Sequence, residues 1–299
     1  MASCARAPDQ ATSIPSTAGS SQVPSSSAPS RRAATSTTGS LNDQLLAATR
    51  SGDAETVRLL VARGADVTLP AGSAGQSPLQ SARDRGYAPV IATLEAALAA
   101  KPVGSPRAST ALLAAATSGD ADAAAIALRQ GADLETRDGN DRTPLILAAS
   151  HDRVDVAQLL VALGADPDTQ DAQQDSAWLV TGVTGSVAML EVLLPANPDL
   201  TLRNRFGGVS VIPASERGHV EYVRRVVQTD INVNHINDLG WTALLEAVIL
   251  GDGSKPYQEI VQILLNAGAR PDLADRDGVT ALQHARKRGQ VRIAQLLER

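Results

Sequence analysis

The four histidines are the residues of this chain best suited to acid–base or metal chemistry, because imidazole titrates near neutral pH and ligates metal ions. They are His151, His219, His235 and His284. Catalytic or metal-binding side chains have to converge on one point, yet no two of these histidines are spaced to share one helix face. The sequence therefore predicts neither a catalytic centre nor a zinc site, and it implies no cofactor.

Acidic residues recur in the chain without forming a recognisable site. Four of them stand at one repeating place in the sequence pattern, which indicates a role in the fold: Asp66, Asp133, Asp166 and Asp199. The segments DGND (138–141) and DRDG (275–278) lack the long oxygen-rich run and the distal Glu of a calcium loop. No glycine-rich phosphate loop or nucleophile elbow is present. The sequence favours a protein that is not an enzyme.

The composition excludes several classes of partner. The 299 residues include 27 basic and 32 acidic side chains, and the densest basic cluster is only Arg286, Lys287 and Arg288. We therefore expect no nucleic-acid binding. No apolar run approaches the ~20 residues that span a bilayer. Apolar residues make up 43% of the chain and aromatic residues 2%, so Leu, Val, Ile and Ala must form the core.

Residues 1–40 differ in composition from the rest of the chain. They are rich in Ser, Thr, Pro and Ala, and such a segment buries too little apolar surface to fold, so it is predicted to be a disordered tether. Ala2 and Ser3 before Cys4 resemble the end of a bacterial lipoprotein cleavage motif, but the apolar part of a signal peptide is missing. One hypothesis is that Cys4 is lipidated and that the natural chain starts upstream. The alternative is a cytosolic protein with a chance cysteine in its tail.

The remaining sequence is periodic, which indicates a repeat architecture. Triplets of the type Thr-Pro-Leu recur every 33 residues, and the last step alone is 38. They begin at Ser77, Thr110, Thr143, Ser176, Val209, Thr242 and Thr280.

One unit, residues 143–166, shows how each repeat is expected to fold. Thr143 can cap a helix and Pro144 fits its first turn. Apolar residues at helical spacing then give two inward faces, and Gly164 is placed to end the second helix in a left-handed conformation. Each repeat is thus predicted to be two antiparallel helices with a protruding turn, stable only when stacked on its neighbours.

The period and the pattern Thr-Pro-Leu, Gly-His, Leu-Leu and Gly-Ala-Asp resemble ankyrin repeats over residues 41–299. The predicted fold is an all-α solenoid of about eight ankyrin repeats after the tether. The second repeat is degenerate, with Pro102, Gly104 and Pro106 in place of a regular hairpin, but its phase survives and we expect stacking to continue. The predicted repeats span about 41–70, 71–104, 105–137, 138–170, 171–203, 204–236, 237–274 and 275–299.

The resemblance implies that the chain binds another protein, and the hairpin tips are the predicted place. Most tips are polar, but five residues of three successive tips are of the types that anchor interfaces. They are Arg205, Phe206, Leu239, Trp241 and Arg276. Trp241 could equally pack along its hairpin, and Trp178 is predicted to be core.

Two alternatives for function remain open at this point. The first is a small-ligand or enzyme-accessory site in the concave groove, lined by Glu216, His219, Glu246 and His284. Otherwise the chain could be an inhibitor or immunity protein for a toxin. Glu246 itself is expected to be exposed or to meet Arg205.

The five extra residues of the long step fall in GDGSKP (251–256), between the two helices of one repeat. Two glycines, a serine and a proline predict a flexible, solvated loop on the rim opposite the tips. The flanking sequence from Gly240 to Gly289 and the segment SERGH (215–219) resemble a group of bacterial ankyrin-repeat proteins, many of them secreted or lipid-anchored. That resemblance implies a location in the cell envelope, with the cytoplasm as the alternative.

Overall fold

The computed structural model describes residues 40–68 and 76–298, so most of the predicted tether, including Cys4, lies outside the described residues. All regular secondary structure in the described part is helical, which confirms the predicted all-α fold. Sixteen α-helices follow one another there in eight pairs, and a short 3-10 helix, Leu194–Ala196, directly follows the tenth. They are α1 Leu41–Ser51, α2 Ala54–Ala62, α3 Pro78–Arg85, α4 Ala88–Ala99, α5 Ser105–Ser118, α6 Ala121–Arg129, α7 Pro144–Ser150, α8 Val154–Ala162, α9 Ala177–Thr184, α10 Val187–Leu193, α11 Val211–Glu216, α12 Val220–Val226, α13 Ala243–Ile249, α14 Lys255–Asn266, α15 Ala281–Lys287 and α16 Val291–Leu297.

The ends of the helices follow from capping residues at fixed places in the repeat. The hydroxyl of Thr143 accepts a hydrogen bond from Ile146 N at 3.2 Å and so starts α7, since a side-chain oxygen satisfies an otherwise unpaired N–H there. The same cap starts the first helix in five other repeats, with Ser40, Ser77, Ser176, Thr242 and Thr280. Gly164, just after α8, has φ 93° as predicted.

The hairpins between repeats are built around one recurring Asp or Asn. Asp138 Oδ1 accepts hydrogen bonds from Asn140 N at 2.8 Å and Arg142 N at 3.0 Å, closing a five-residue loop. The same pair of bonds forms at Asp171, Asn204, Asn237 and Asp275. We name the loops hairpin 4 (138–142), hairpin 5 (171–175), hairpin 6 (204–208), hairpin 7 (237–241) and hairpin 8 (275–279).

From α5 onwards the pairs stack regularly. First helices pack on first helices, from α5 through α7, α9, α11 and α13 to α15, and the second helices form a parallel layer from α6 to α16. The core between the layers is mostly Leu, Ile, Val and Ala, with Trp178 fully buried at 0% exposure, as predicted.

The first two repeats keep part of this stack, because α1 packs on α3 and the second helices α2, α4 and α6 pack in order. The expectation of continuous stacking is wrong for the first helices there. Helix α2 packs against α6 and reaches α8, and α4 packs against both α2 and α6, while α3 packs on α1 and α4 rather than extending the layer of α5. Two features of the sequence explain the departure. The segment between α4 and α5 lacks the Asp or Asn that sets a hairpin. Helix α6 is rich in alanine, and its small side chains let α2 approach until no residue of α6 is fully exposed.

Polar contacts fix this N-terminal packing. Arg58 Nε donates to Asp122 Oδ1 at 2.8 Å, and Thr93 Oγ1 donates to the same oxygen at 2.6 Å. One carboxylate therefore joins α2, α4 and α6. The Arg129 guanidinium also donates to the carbonyl of Ala65, beyond the end of α2.

The inserted segment 251–256 is not the flexible loop that its composition predicted. Lys255 and Pro256 already belong to α14, which has 12 residues against 7 in α12. Gly251 is buried, and its carbonyl accepts a hydrogen bond from Gln290 Nε2 at 3.1 Å. On the other side, the hydroxyl of Tyr257 donates to Glu216 O at 3.0 Å. Both neighbouring repeats thus hold the insertion, and composition alone does not reveal such partners.

Candidate protein-binding surface

Hairpins 6, 7 and 8 are joined into one row by hydrogen bonds between their loops. Asp238 N donates to Phe206 O at 2.9 Å, and His235 Nε2 donates to Gly207 O at 2.6 Å. The Arg276 guanidinium donates to the carbonyl of Asp238. The five predicted binding residues therefore lie on three directly connected tips.

Close contact between hairpins 6 and 7 requires glycine at position 207. Gly207 has φ 69°, a left-handed conformation that side chains disfavour. A Cβ added there would also run into the carboxylate of Asp238. The local sequence Phe-Gly-Gly thus sets both the turn and the spacing of the tips.

The side chains of this row are partly exposed. The Arg205 guanidinium lies 4.5 Å from the centroid of the Phe206 ring, within the range of a cation–π contact. Phe206 and Leu239 are half-buried, and Arg276 is exposed at the end of the row. Trp241 is half-buried and also packs against the core, so it has a structural role in addition to any role in binding.

Ile236, which the sequence pattern did not single out, is 47% exposed and directly precedes hairpin 7. At the same place in the three preceding repeats stand Arg137, Gln170 and Arg203. A large apolar residue at a place that is polar in the three preceding repeats was the signal that could have identified it. We call Arg205, Phe206, Ile236, Leu239 and Trp241 together the tip surface.

The four residues of the alternative groove have different bonding partners. His219 Nε2 donates to Val183 O at 3.1 Å and so links neighbouring repeats at the turn between helices. His284 Nε2 donates to Asp275 Oδ2 at 2.7 Å and braces hairpin 8. Glu216 and Glu246 are the two members that act on each other electrostatically.

Glu246 is buried, against the expectation that it is exposed or meets Arg205. Its residue exposure is 3%, and Asn237 Nδ2 donates to its Oε1 at 2.9 Å. Its Oε2 is buried and has no hydrogen-bond partner within the described residues. Burial and the nearby Glu216 raise the pKa of Glu246 to about 7, although the bond from Asn237 acts in the other direction.

Asp275 and His284 stand at the same places in the last repeat as Asn237 and Glu246 in the one before. Although burial acts to raise it, hydrogen bonds from Val279 N, the His284 ring and Asp277 N hold the pKa of Asp275 below its ordinary value. The bond between His284 and Asp275 therefore joins hairpin 8 to its first helix. In the repeat before, Asn237 and Glu246 form the equivalent pair, but Glu246 Oε2 has no hydrogen-bond partner among the described residues.

Within residues 40–68 and 76–298, no group of three or more His, Cys, Asp or Glu side chains is placed to hold a metal ion. No helix of the same residues is both long and apolar enough to cross a bilayer.

Two proteins of known structure are similar to this chain in both sequence and fold. An ankyrin repeat domain from Acinetobacter baumannii AYE, ABAYE2397, is 46% identical with a TM-score of 0.60, covering 62% of this chain and 95% of its own. The ankyrin repeat protein EF0377 is 34% identical with a TM-score of 0.62, covering 64% and 98%. The ankyrin repeat domain of human ASB11, at 23% identity and a TM-score of 0.55, supports the fold alone.

The chain is also similar to a curated protein, the putative ankyrin repeat protein YahD of Escherichia coli (strain K12). The two are 48% identical over 121 residues, which is 40% of this chain and 60% of that protein. The match thus spans about three fifths of the relative's length.

Sequence profiles of two kinds match the repeats themselves. The profile described as ankyrin repeats (3 copies) matches residues 92–171 and 179–275, and the profile described as ankyrin repeats (many copies) matches residues 254–298. Since these matches cover more than half of the sequence, the chain belongs to the ankyrin-repeat family.

Proposed function

We propose that this chain is a non-enzymatic module that binds another protein through its tip surface. Ankyrin repeats are generally protein–protein interaction modules and are generally not enzymes. Because a fold alone does not define a function, the proposal depends on one observation. Hairpins 6 and 7 are hydrogen-bonded together and carry Phe206, Ile236 and Leu239 partly exposed.

The neighbouring hairpins support this choice by contrast. Hairpins 4 and 5 present Asn140, Gln173 and Gln174, all polar and exposed. Interfaces are anchored by a few aromatic, apolar and Arg side chains that become fully buried on binding. The tip surface has this composition, with Arg205 stacked on Phe206, whereas hairpins 4 and 5 offer only solvated groups.

Affinity capture with paired variants tests the proposal. The double variant Phe206→Ala with Leu239→Ala should weaken partner binding by roughly 10- to 100-fold, the usual effect of losing interface anchors. Thermal unfolding should change little, because both side chains are only half-buried.

The matched control is Asn140→Ala with Gln173→Ala, which alters exposed polar residues on hairpins 4 and 5. The control should bind like the unmodified chain. Equal binding by the unmodified chain and the Phe206/Leu239 variant would refute the assignment of the tip surface.

We also propose that the protein is held in the cell envelope by a lipid on Cys4. The support is the Ala2-Ser3-Cys4 sequence and the resemblance of residues 240–289 to secreted or lipid-anchored relatives. Metabolic labelling with a radioactive fatty acid tests this when the gene is expressed from its natural start. No label at all would favour the cytoplasmic alternative, and a label that persists in Cys4→Ser would refute Cys4 as the attached residue.

A further inference from the structure

Hairpin 7 is tied to its own first helix through a single amide. Asn237 Oδ1 accepts from Leu239 N at 3.0 Å and from Trp241 N at 2.9 Å, while its Nδ2 donates to Glu246 Oε1 at 2.9 Å. The backbone that presents Leu239 and Trp241 is closed by the bonds from Asn237 N to Trp241 O and from Gly240 N to Asn237 O. The Asn237 side chain adds two more bonds to this loop, and its other end is fixed by a buried carboxyl group.

The place of Glu246 is apolar in the three preceding repeats. Counting back by the period of 33 gives Pro213, Val180 and Leu147, which are all buried. None of these three side chains has a proton to lose, so their packing does not change with pH. An ionisable carboxyl group at this place is not needed to build a repeat.

We propose that the protonation state of Glu246 controls the order of hairpin 7. The hairpin is held in the geometry described above while the carboxyl group is neutral, and it loosens when the group ionises. Binding at the tip surface then weakens as the pH rises, and this last consequence rests on the proposed function.

The contacts of Glu246 explain the direction of the effect. An ionised carboxylate here places a charge in a buried site, facing Glu216, with one oxygen unpaired among the described residues. A buried charge without a partner is costly, and the group is stabilised by moving towards water. The bond from Asn237 favours the ionised form and opposes this movement, but burial and the charge of Glu216 outweigh it. Once the carboxylate has moved, its bond to Asn237 is broken, and the amide that holds Leu239 N and Trp241 N is free to turn. The raised pKa of Glu246, about 7, supports a change in the neutral range.

Among the charged groups on the elements around Glu246, Glu216 has the main influence on the pKa of Glu246. Helix α13 packs against α11, α14 and α15. Glu216 ends α11 and acts on Glu246. Other charged groups of these elements have partners of their own: Lys255 and Glu259 pair on α14, Arg286 pairs with Glu298, His284 with Asp275, and Arg288 donates to Gly251 O. His235, just before hairpin 7, donates to Gly207 O. Arg217 directly follows Glu216 and is half-buried, but Glu216 is the charged group that shifts the pKa of Glu246. Lys287 of α15 and Asp238 of hairpin 7 are exposed.

Nuclear magnetic resonance of the full chain without any partner tests the proposal directly. The backbone amide signals of Leu239 and Trp241 should shift with pH along a sigmoid centred near 7. In Glu246→Gln the same signals should stay constant across that range. In Glu216→Gln the midpoint should fall, because a repelling charge has been removed.

Two further variants keep the result interpretable. His235→Asn removes the imidazole that lies just before hairpin 7, and the shift should persist in it. Glu246→Leu restores the residue type of Leu147 and should fold with pH-independent signals. Signals that do not shift in the unmodified chain, or that shift equally in Glu246→Gln, would overturn the proposal. Since no partner is present, failure to find a binding protein does not affect this test.

Discussion

Glu246 is the residue at which local chemistry departs furthest from the repeat pattern. Its pKa rises from 4.5 to about 7 on folding, mainly because the side chain is buried. Below about pH 4.5 the group is neutral in both the folded and unfolded states. As the pH rises to about 7, the unfolded chain ionises first, so the folded state loses stability, and above 7 this loss stays constant.

Glu246→Leu removes this pH-dependent loss, but it also leaves Asn237 Nδ2 without its carboxyl partner. The variant should therefore gain stability relative to the unmodified chain as the pH rises from 5 to 8. A pKa difference of this size corresponds to on the order of 3 kcal/mol in the free energy of unfolding. Urea unfolding of both proteins at pH 5, 6, 7 and 8 measures the difference. A gain from Glu246→Leu that is the same at every pH would show that Glu246 does not titrate within the folded range.

The sequence predicted some residues correctly and misplaced others for physical reasons. Trp178 was predicted as core from its place in the triplet, and it is fully buried. Glu246 was expected at the surface, because a charged side chain seldom lies buried without a partner. Its partner Asn237 belongs to a hairpin nine residues earlier, a relation that helical periodicity does not reveal.

At the scale of the element, the hairpins depend on a shared turn and on close approach between neighbours. Gly207 and Gly278 stand at the same place in hairpins 6 and 8, with φ 69° and 74°. A Cβ at Gly207 would run into Asp238, whereas at Gly278 it would meet nothing within 4 Å. An Ala at Gly278 therefore loses stability through the backbone conformation alone, whereas an Ala at Gly207 also loses stability through the clash with Asp238.

Gly278→Ala should destabilise the protein by about 1–2 kcal/mol, the cost of a left-handed conformation for an L residue. Gly207→Ala should cost clearly more, because hairpin 7 must also move away. Equilibrium urea unfolding of both variants measures this difference. If the two variants lose the same stability, the contact between hairpins 6 and 7 does not constrain the tips.

Helices were the most predictable elements, and the insertion was the least. Thr143, Pro144 and Gly164 carry start and stop signals that act within a few residues, so the sequence is enough to find them. The partners of Gly251 are Gln290, in the next repeat, and the Tyr257 ring beside it. A composition of Gly, Ser and Pro predicts a turn, but it cannot show which side chains hold that turn.

At the scale of the whole array, the first two repeats are joined to the rest through α2, α4 and α6 rather than by a continuous stack. The phase of 33 residues predicted the helices of this region but not their arrangement. The 33-residue period shows where the helices of each repeat begin and end. How two repeats stack depends on the hairpin between them. That hairpin is lost where Pro102 and Gly104 stand.

Asp122→Ala should release this packing, since Asp122 accepts from Arg58 and Thr93 on two other helices. We expect a loss of about 1–3 kcal/mol, typical of charge-assisted hydrogen bonds that are partly buried. Faster amide hydrogen exchange in α2 and α4 would be the local sign. Asp155→Ala is the matched control, because Asp155 has the same place on α8 and is exposed. Equal exchange in α2 for both variants would contradict the role of Asp122.

The central claim is that another protein binds at the tip surface, and site-specific photo-crosslinking in native extract tests it most directly. A photoreactive amino acid replaces Leu239 in one sample, Gln173 of hairpin 5 in a second, and exposed Arg224 on the outer helix α12 in a third. Crosslinks reach only groups in direct contact, so the method reports position. A discrete crosslinked product from position 239, absent at 173 and 224, is the predicted result. The same product in equal yield from 173 or 224, or none from 239, would contradict the account.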